Sequence, residues 1–213
     1  MANLKQWGYI LWLYAEDNDT KFPEGSGGSG DWPRVLRPYY VERGALTLCP
    51  TATKPYTHGG RVPFGAWSWG LGGWDGFEHK ETKDYGSYGL NEFLNNPQRQ
   101  DSRYWRSREV KQADTVPLFF DCVWFDVWPS HTQGPPEYDG LVQLPNEMHL
   151  VCINRHKECI NGVFMDFAAR KIRLKELWTL RWHRTFDIHG PWTQPGGVGP
   201  DDWPEWMRGL KDY

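Results

Sequence analysis

Asn154-Arg-His156 is followed by nine residues and then Asp166, with Gly162-Val-Phe-Met just before it. Histidine titrates near neutral pH, and a carboxylate brought beside it can orient it or share a ligand with it. A hairpin would bring the two together as a catalytic or ligand pair. The preferred reading is that they fix the backbone, with His156 bonding its own loop or Asp166 accepting from neighbouring N–H groups, so no catalytic residue is favoured. Asp121, which ends the apolar run Val116-Pro-Leu-Phe-Phe, adds a third group. His156, Asp166 and Asp121 around a metal-activated water would make a hydrolase for a lactone or ester. The bland alternative has Asp121 and Asp166 capping turns or pairing with Arg155 and Arg170. A cysteine nucleophile needs a histidine partner; Cys152 and Cys159 flank His156, but nearness along the chain is not pairing in space. No Gly-x-Ser-x-Gly elbow supports a serine nucleophile. No His-x-His, His-Glu-x-x-His or Cys-x-x-Cys spacing is present, so a structural zinc is not expected.

These groups must be positioned by a loop-rich chain. Of 213 residues, 14 are Trp, 10 Tyr and 10 Phe, while 23 Gly and 16 Pro favour turns. Large rings, rather than long ladders, must pin such loops. A net charge of -3 offers no basic field for nucleic acid. Mean hydropathy is -0.71, and the most apolar stretch, Tyr9 to Ala15, is too short to cross a bilayer. Nothing at the start reads as a signal peptide. Cys49, Cys122, Cys152 and Cys159 leave open either disulfide pairing or four small buried thiols.

The spacing of Leu4, Trp7, Leu11 and Tyr14 predicts an N-terminal helix over residues 1–20 with one apolar stripe. Ile10, Trp12 and Leu13 widen that surface, so its second half is expected to be hidden from water. Residues 24–115 read as a loop-rich Trp/Gly/Pro insertion, with a linker-like tract over 24–30 and a strand edge near Asp84 to Asn91. Residues 116–174 read as an antiparallel sheet, its clearest strands at His149–Asn154, Gly162–Asp166 and Lys171–Leu174. Residues 175–213 hold a short helix and a tail anchored by Trp192, Trp203 and Trp206. The plan is a single α+β domain, the N-terminal helix packed on a C-terminal antiparallel β-sheet. Trp67, Trp69 and Trp74 can present flat platforms for a glycan or seal the core.

Asn3-Leu-Lys-Gln-Trp-Gly, Tyr14-Ala-Glu-Asp-Asn-Asp, Leu48-Cys-Pro50, Ser87-Tyr-Gly-Leu-Asn91, Pro117-Leu-Phe-Phe-Asp121 and the His156-x9-Asp166 spacing together resemble bacterial prepilin-like proteins related to type II secretion pseudopilins. The resemblance spans essentially the whole chain and implies a pilin-like fold. It also implies a structural subunit of an extracytoplasmic filament or secretion apparatus. An apolar membrane segment is then expected before Asn3, tethering the native form to the membrane and joining it to other pilin-like subunits. Related pseudopilins bind Ca2+ through a C-terminal loop, and Asp121, Asp126, Asn161 and Asp166 are the oxygen donors for a comparable site. Phe167 stands where the family signature has glycine, at a turn expected to need positive φ. A metal-dependent hydrolase and a glycan-binding module are the alternative functions.

Overall fold

Leu4, Trp7 and Leu11 form the inner face of α1 (Ala2–Asp17) in a computed structural model that describes residues 1–25, 31–40, 46–54, 61–69 and 84–213. Trp7 is completely buried, its ring meeting Trp32 and Tyr40 edge-on with centroids 4.9 Å away and Phe119 at 5.5 Å. Tyr14 is only half-buried. The outer face departs from expectation. Tyr9 is 58% and Leu13 45% exposed, and Trp12 is exposed too. At about 100° per residue these positions sit off the stripe, and α1 rests on a sheet with one side only. The helix stops at Asn18, whose Nδ2 donates to Tyr14 O (2.7 Å), and Asp19 and Thr20 turn the chain with positive φ.

A five-stranded sheet lies beneath α1 in the order β5-β3-β4-β6-β7, with β3 (Tyr88–Asn91), β4 (Pro117–Asp121), β5 (Asp126–Val127), β6 (Cys159–Phe164) and β7 (Ala169–Arg173). Neighbours are antiparallel except β3 and β5, which run parallel. A separate ribbon pairs β1 (Trp67–Trp69) with β2 (Asp84–Gly86). The fold is therefore α+β, and its sheet draws β3 from the segment read as insertion. Gly89 in β3 is required by close approach, since a Cβ there would lie 2.8 Å from Trp124 O.

Strands β3, β4 and β6 are buried throughout because both sheet faces are covered. Phe119 and Val163 pack with α1, whereas Phe120, Ile160 and Phe164 pack with the C-terminal segment. A register shift between Pro117 and Phe119 puts Leu118 on the α1 side as well. On the far face Trp178, Trp192 and Trp203 pack together with centroids 5.4–6.3 Å apart, and Trp206 Nε1 donates to Pro136 O (2.9 Å). The expected tail anchors thus hold the C-terminal segment on the sheet.

Two expected elements differ. His149–Asn154 is not a strand: Met148–Val151 forms one helical turn, started by Asn146, which accepts from Met148 N–H (3.1 Å) and His149 N–H (3.3 Å). Every residue from Met148 to Ile153 is buried, so no alternation distinguishes helix from strand. The antiparallel meander is instead β4-β6-β7. The expected helix over Glu176–Arg184 is a 3-10 turn over Leu174–Thr179. The turn joining β6 to β7 keeps positive φ at Phe167 (64°) despite the missing glycine, with the ring stacked on Tyr9 at 6.0 Å and 4°. No described helix is long and apolar enough to cross a membrane. Residues 26–30 of the linker-like tract lie outside the described residues.

Candidate functional site

Four separate segments meet at the end of β4. The β3–β4 register sets Tyr88 opposite Asp121, which brings Ser87 to the same edge. Ser87 is buried; its Oγ accepts from Cys49 N–H (2.6 Å) and its N–H donates to Thr47 O (3.0 Å). Asp121 is completely buried, and its Oδ2 accepts from Asn161 N–H on β6 (2.6 Å). Arg155, equally buried, donates to Asp121 Oδ1 (3.3 Å), Ser87 O (2.5 Å), Cys122 O (3.1 Å) and Pro63 O (2.5 Å). His156 Nε2 lies 3.1 Å from Asp121 Oδ2 and 3.3 Å from Cys49 Sγ. Thr51 Oγ1 is 3.2 Å from the same sulfur.

Burial alone would raise the Asp121 pKa. The hydrogen bond from His156, the Arg155 charge and the Asn161 N–H outweigh it and hold the carboxyl below its usual range. Burial, then the Asp121 charge, push the Cys49 thiol up. That is the opposite of what a nucleophilic cysteine needs. The geometry agrees: a catalytic histidine uses one nitrogen for the nucleophile and the other for its orienting acid, yet here Nε2 faces both. A Cys-His-Asp triad is not formed.

The turn that carries His156 is strained. Lys157 and Glu158 both have positive φ (55° and 66°), positions that favour Gly or Asn. His156 N–H donates to Cys159 O (2.9 Å) and Asn154 Oδ1 accepts from Glu158 N–H (2.7 Å), closing the turn. Each left-handed residue costs about 1–2 kcal/mol. Glu158→Gly is therefore expected to raise stability by about 0.5–1 kcal/mol after the entropic cost of glycine. Urea unfolding would detect this, and a loss of stability would contradict it.

A second group of acids is buried nearby. Asp126 is raised well above the carboxylate range by burial first and then by Glu92, Glu147 and Asp31. Glu147 is pushed up to about 7 by burial, against the Trp128 N–H and Arg61. Glu92 also lines a cavity of about 400 Å³ with Phe93, Arg99, Arg103, Tyr104 and Trp128. Glu147 binds its proton more tightly in the folded chain than at its ordinary value of 4.5. Its stabilising contribution is present below pH 4.5 and is lost as pH rises through about 7. The loss is about 3 kcal/mol. Glu147→Gln should flatten the melting temperature between pH 5 and 8, as followed by circular dichroism. An unchanged slope would contradict this origin.

Of the residues singled out from sequence, Asp121 and His156 meet, and Asn161 joins them through its backbone N–H. Asp166 does not. It lies past the other end of β6, accepting from Ala168 N–H (2.9 Å) in the β6–β7 turn. β6 is about 20 Å long at about 3.3 Å per residue, so a strand separates His156 from Asp166 and no hairpin joins them as a pair. Asp126 belongs with Glu92, so Asp121, Asp126, Asn161 and Asp166 form no single oxygen cluster. Sequence reasoning missed Cys49, whose Leu-Cys-Pro context was noted but whose partner lies in a distant segment. All four cysteines are free and buried. Trp67 is buried in the core rather than offered to a glycan; Trp74 and the Trp69 side chain lie outside the described residues. Comparison with protein-family models, curated proteins and solved structures finds no match to this chain.

Proposed function

We propose that the chain is the globular part of a pilin-like structural subunit, assembled outside the cytoplasm with other pilin-like subunits through an apolar pilin-type segment preceding Asn3. Leu48-Cys-Pro50, Ser87–Asn91, Pro117–Asp121 and Asn154–His156, four of the segments that carry the resemblance, meet at Asp121, where both carboxylate oxygens are engaged. That saturation is the observation behind the proposal. A buried carboxylate bonded to an arginine and a backbone N–H fixes the shape of the strand ends that meet there. The outer face of α1, with Tyr9, Trp12 and Leu13 exposed, supports the assembly role.

The chain alone is expected to sediment as a monomer and to turn over neither a model ester nor a lactone. Placed behind an apolar pilin-type helix in a piliated host, it should enter filaments, seen by immunogold electron microscopy. Regular filaments from the chain alone would overturn the proposal. So would a turnover that His156→Ala abolishes without any shift in melting temperature.

A further inference from the structure

Among the described residues, three side chains that ligate metals converge at one place. Cys49 Sγ, Asp121 Oδ2 and His156 Nε2 come from three distant segments, and the three residues' donor atoms all lie within 4.8 Å of one another. A tetrahedral zinc separates a thiolate from an imidazole nitrogen by about 3.6 Å and an imidazole nitrogen from a carboxylate oxygen by about 3.4 Å. Here the corresponding separations are 3.3 and 3.1 Å. For these two pairs a shift of a few tenths of an ångström would admit the ion, while the thiolate and carboxylate, now within 4.8 Å, would settle at about 3.6 Å. We infer that Cys49, Asp121 and His156 form a binding site for a zinc-class divalent cation, with water in the fourth position.

The donor set selects the metal. One sulfur, one imidazole and one carboxylate suit a borderline-soft ion and do not suit calcium, which wants oxygen throughout. The surroundings resemble a built outer shell: Asn161 N–H and Arg155 hold the Asp121 carboxylate in orientation from outside. The dication cancels the thiolate and the carboxylate, so the Arg155 guanidinium is left as the one net charge of the cluster, beside the solvent-reached His156. On binding, the Sγ proton leaves to solvent. Nε2 gives up any proton it carries, to Nδ1 from a neutral ring or to solvent from an imidazolium. The ion would enter past His156, the one side chain of the three that reaches the surface, at 18% exposure. Bound there, it would fasten the 46–54 segment to the end of β4 and to the turn before β6. Nothing in this depends on how the subunit assembles.

The test is cobalt and zinc titration of the full chain, reduced and stripped of metal. One cobalt ion per chain should give a thiolate-to-metal charge-transfer absorption, which zinc then displaces. Cys49→Ser should abolish that absorption and weaken zinc binding by more than about 100-fold, whereas Cys122→Ser should preserve both. Should Cys49→Ser fail to fold, alkylation of the unsubstituted chain decides. With zinc at about 100 times its dissociation constant, labelling of Cys49 should slow by about 100-fold, as mapped by mass spectrometry. Cobalt binding without thiolate absorption, absorption that survives Cys49→Ser, or equal labelling of Cys49 with and without zinc would each overturn the inference.

Discussion

Asp121→Asn is expected to cost about 3–5 kcal/mol, because it leaves the buried Arg155 guanidinium without a counter-charge. For a chain of this size that is a fall of roughly 6–20 °C in melting temperature, measurable by circular dichroism at neutral pH. Arg155 also ties the carbonyls of Pro63, Ser87 and Cys122. Arg155→Met alone would strand those acceptors, and the double variant should be less destabilised than the two single changes summed. The pH dependence has a definite sign. The Asp121 pKa is depressed on folding, so its contribution is present above the ordinary value of 3.8 and is lost as pH falls through the lower folded value. The unsubstituted chain should therefore lose stability from this source only in strong acid, and Asp121→Asn should remove that part of the acid sensitivity. A cost below 1 kcal/mol would show that the carboxylate does not hold the four segments together.

Trp7→Ala is expected to cost about 3–5 kcal/mol in urea unfolding, the range for removing a fully buried large aromatic. Three ring contacts go with it, and so does the bond from Trp7 Nε1 to Leu46 O (3.0 Å). That bond and the one from Asn3 Nδ2 to Leu48 O (3.1 Å) tie α1 to the segment carrying Cys49. The change should therefore also speed alkylation of Cys49 relative to Cys122, which is held by Leu150 O on the other side of the sheet. Trp7→Phe should recover most of the stability but not the bond to Leu46. A Trp7→Ala variant of full stability would remove α1 from the core.

Residue spacing by itself determined the inner stripe of α1, the apolar run of β4, the second half of β6 (Gly162 to Phe164, within the expected run to Asp166), the alternation of β7 and the tryptophans that hold down the tail. Each is a local pattern, set by the 3.6 or 2.0 residue period of one element or by the sheer size of its rings. Where burial is complete on every side the period vanishes, so Met148–Val151 forms a helical turn that no alternation could distinguish from a strand. Exposure on α1 depended on what covers the helix, which lies outside its own sequence. The candidate site belongs wholly to tertiary structure. Cys49 and His156 are 107 positions apart, and no spacing rule for ligands on one element can join them. Strand register does: Tyr88 opposite Asp121 and Phe120 opposite Gly162 bring Ser87, and Asn161 with the His156 turn, to one sheet edge. The same geometry parts His156 from Asp166, because an extended strand carries its two ends as far from each other as the chain allows.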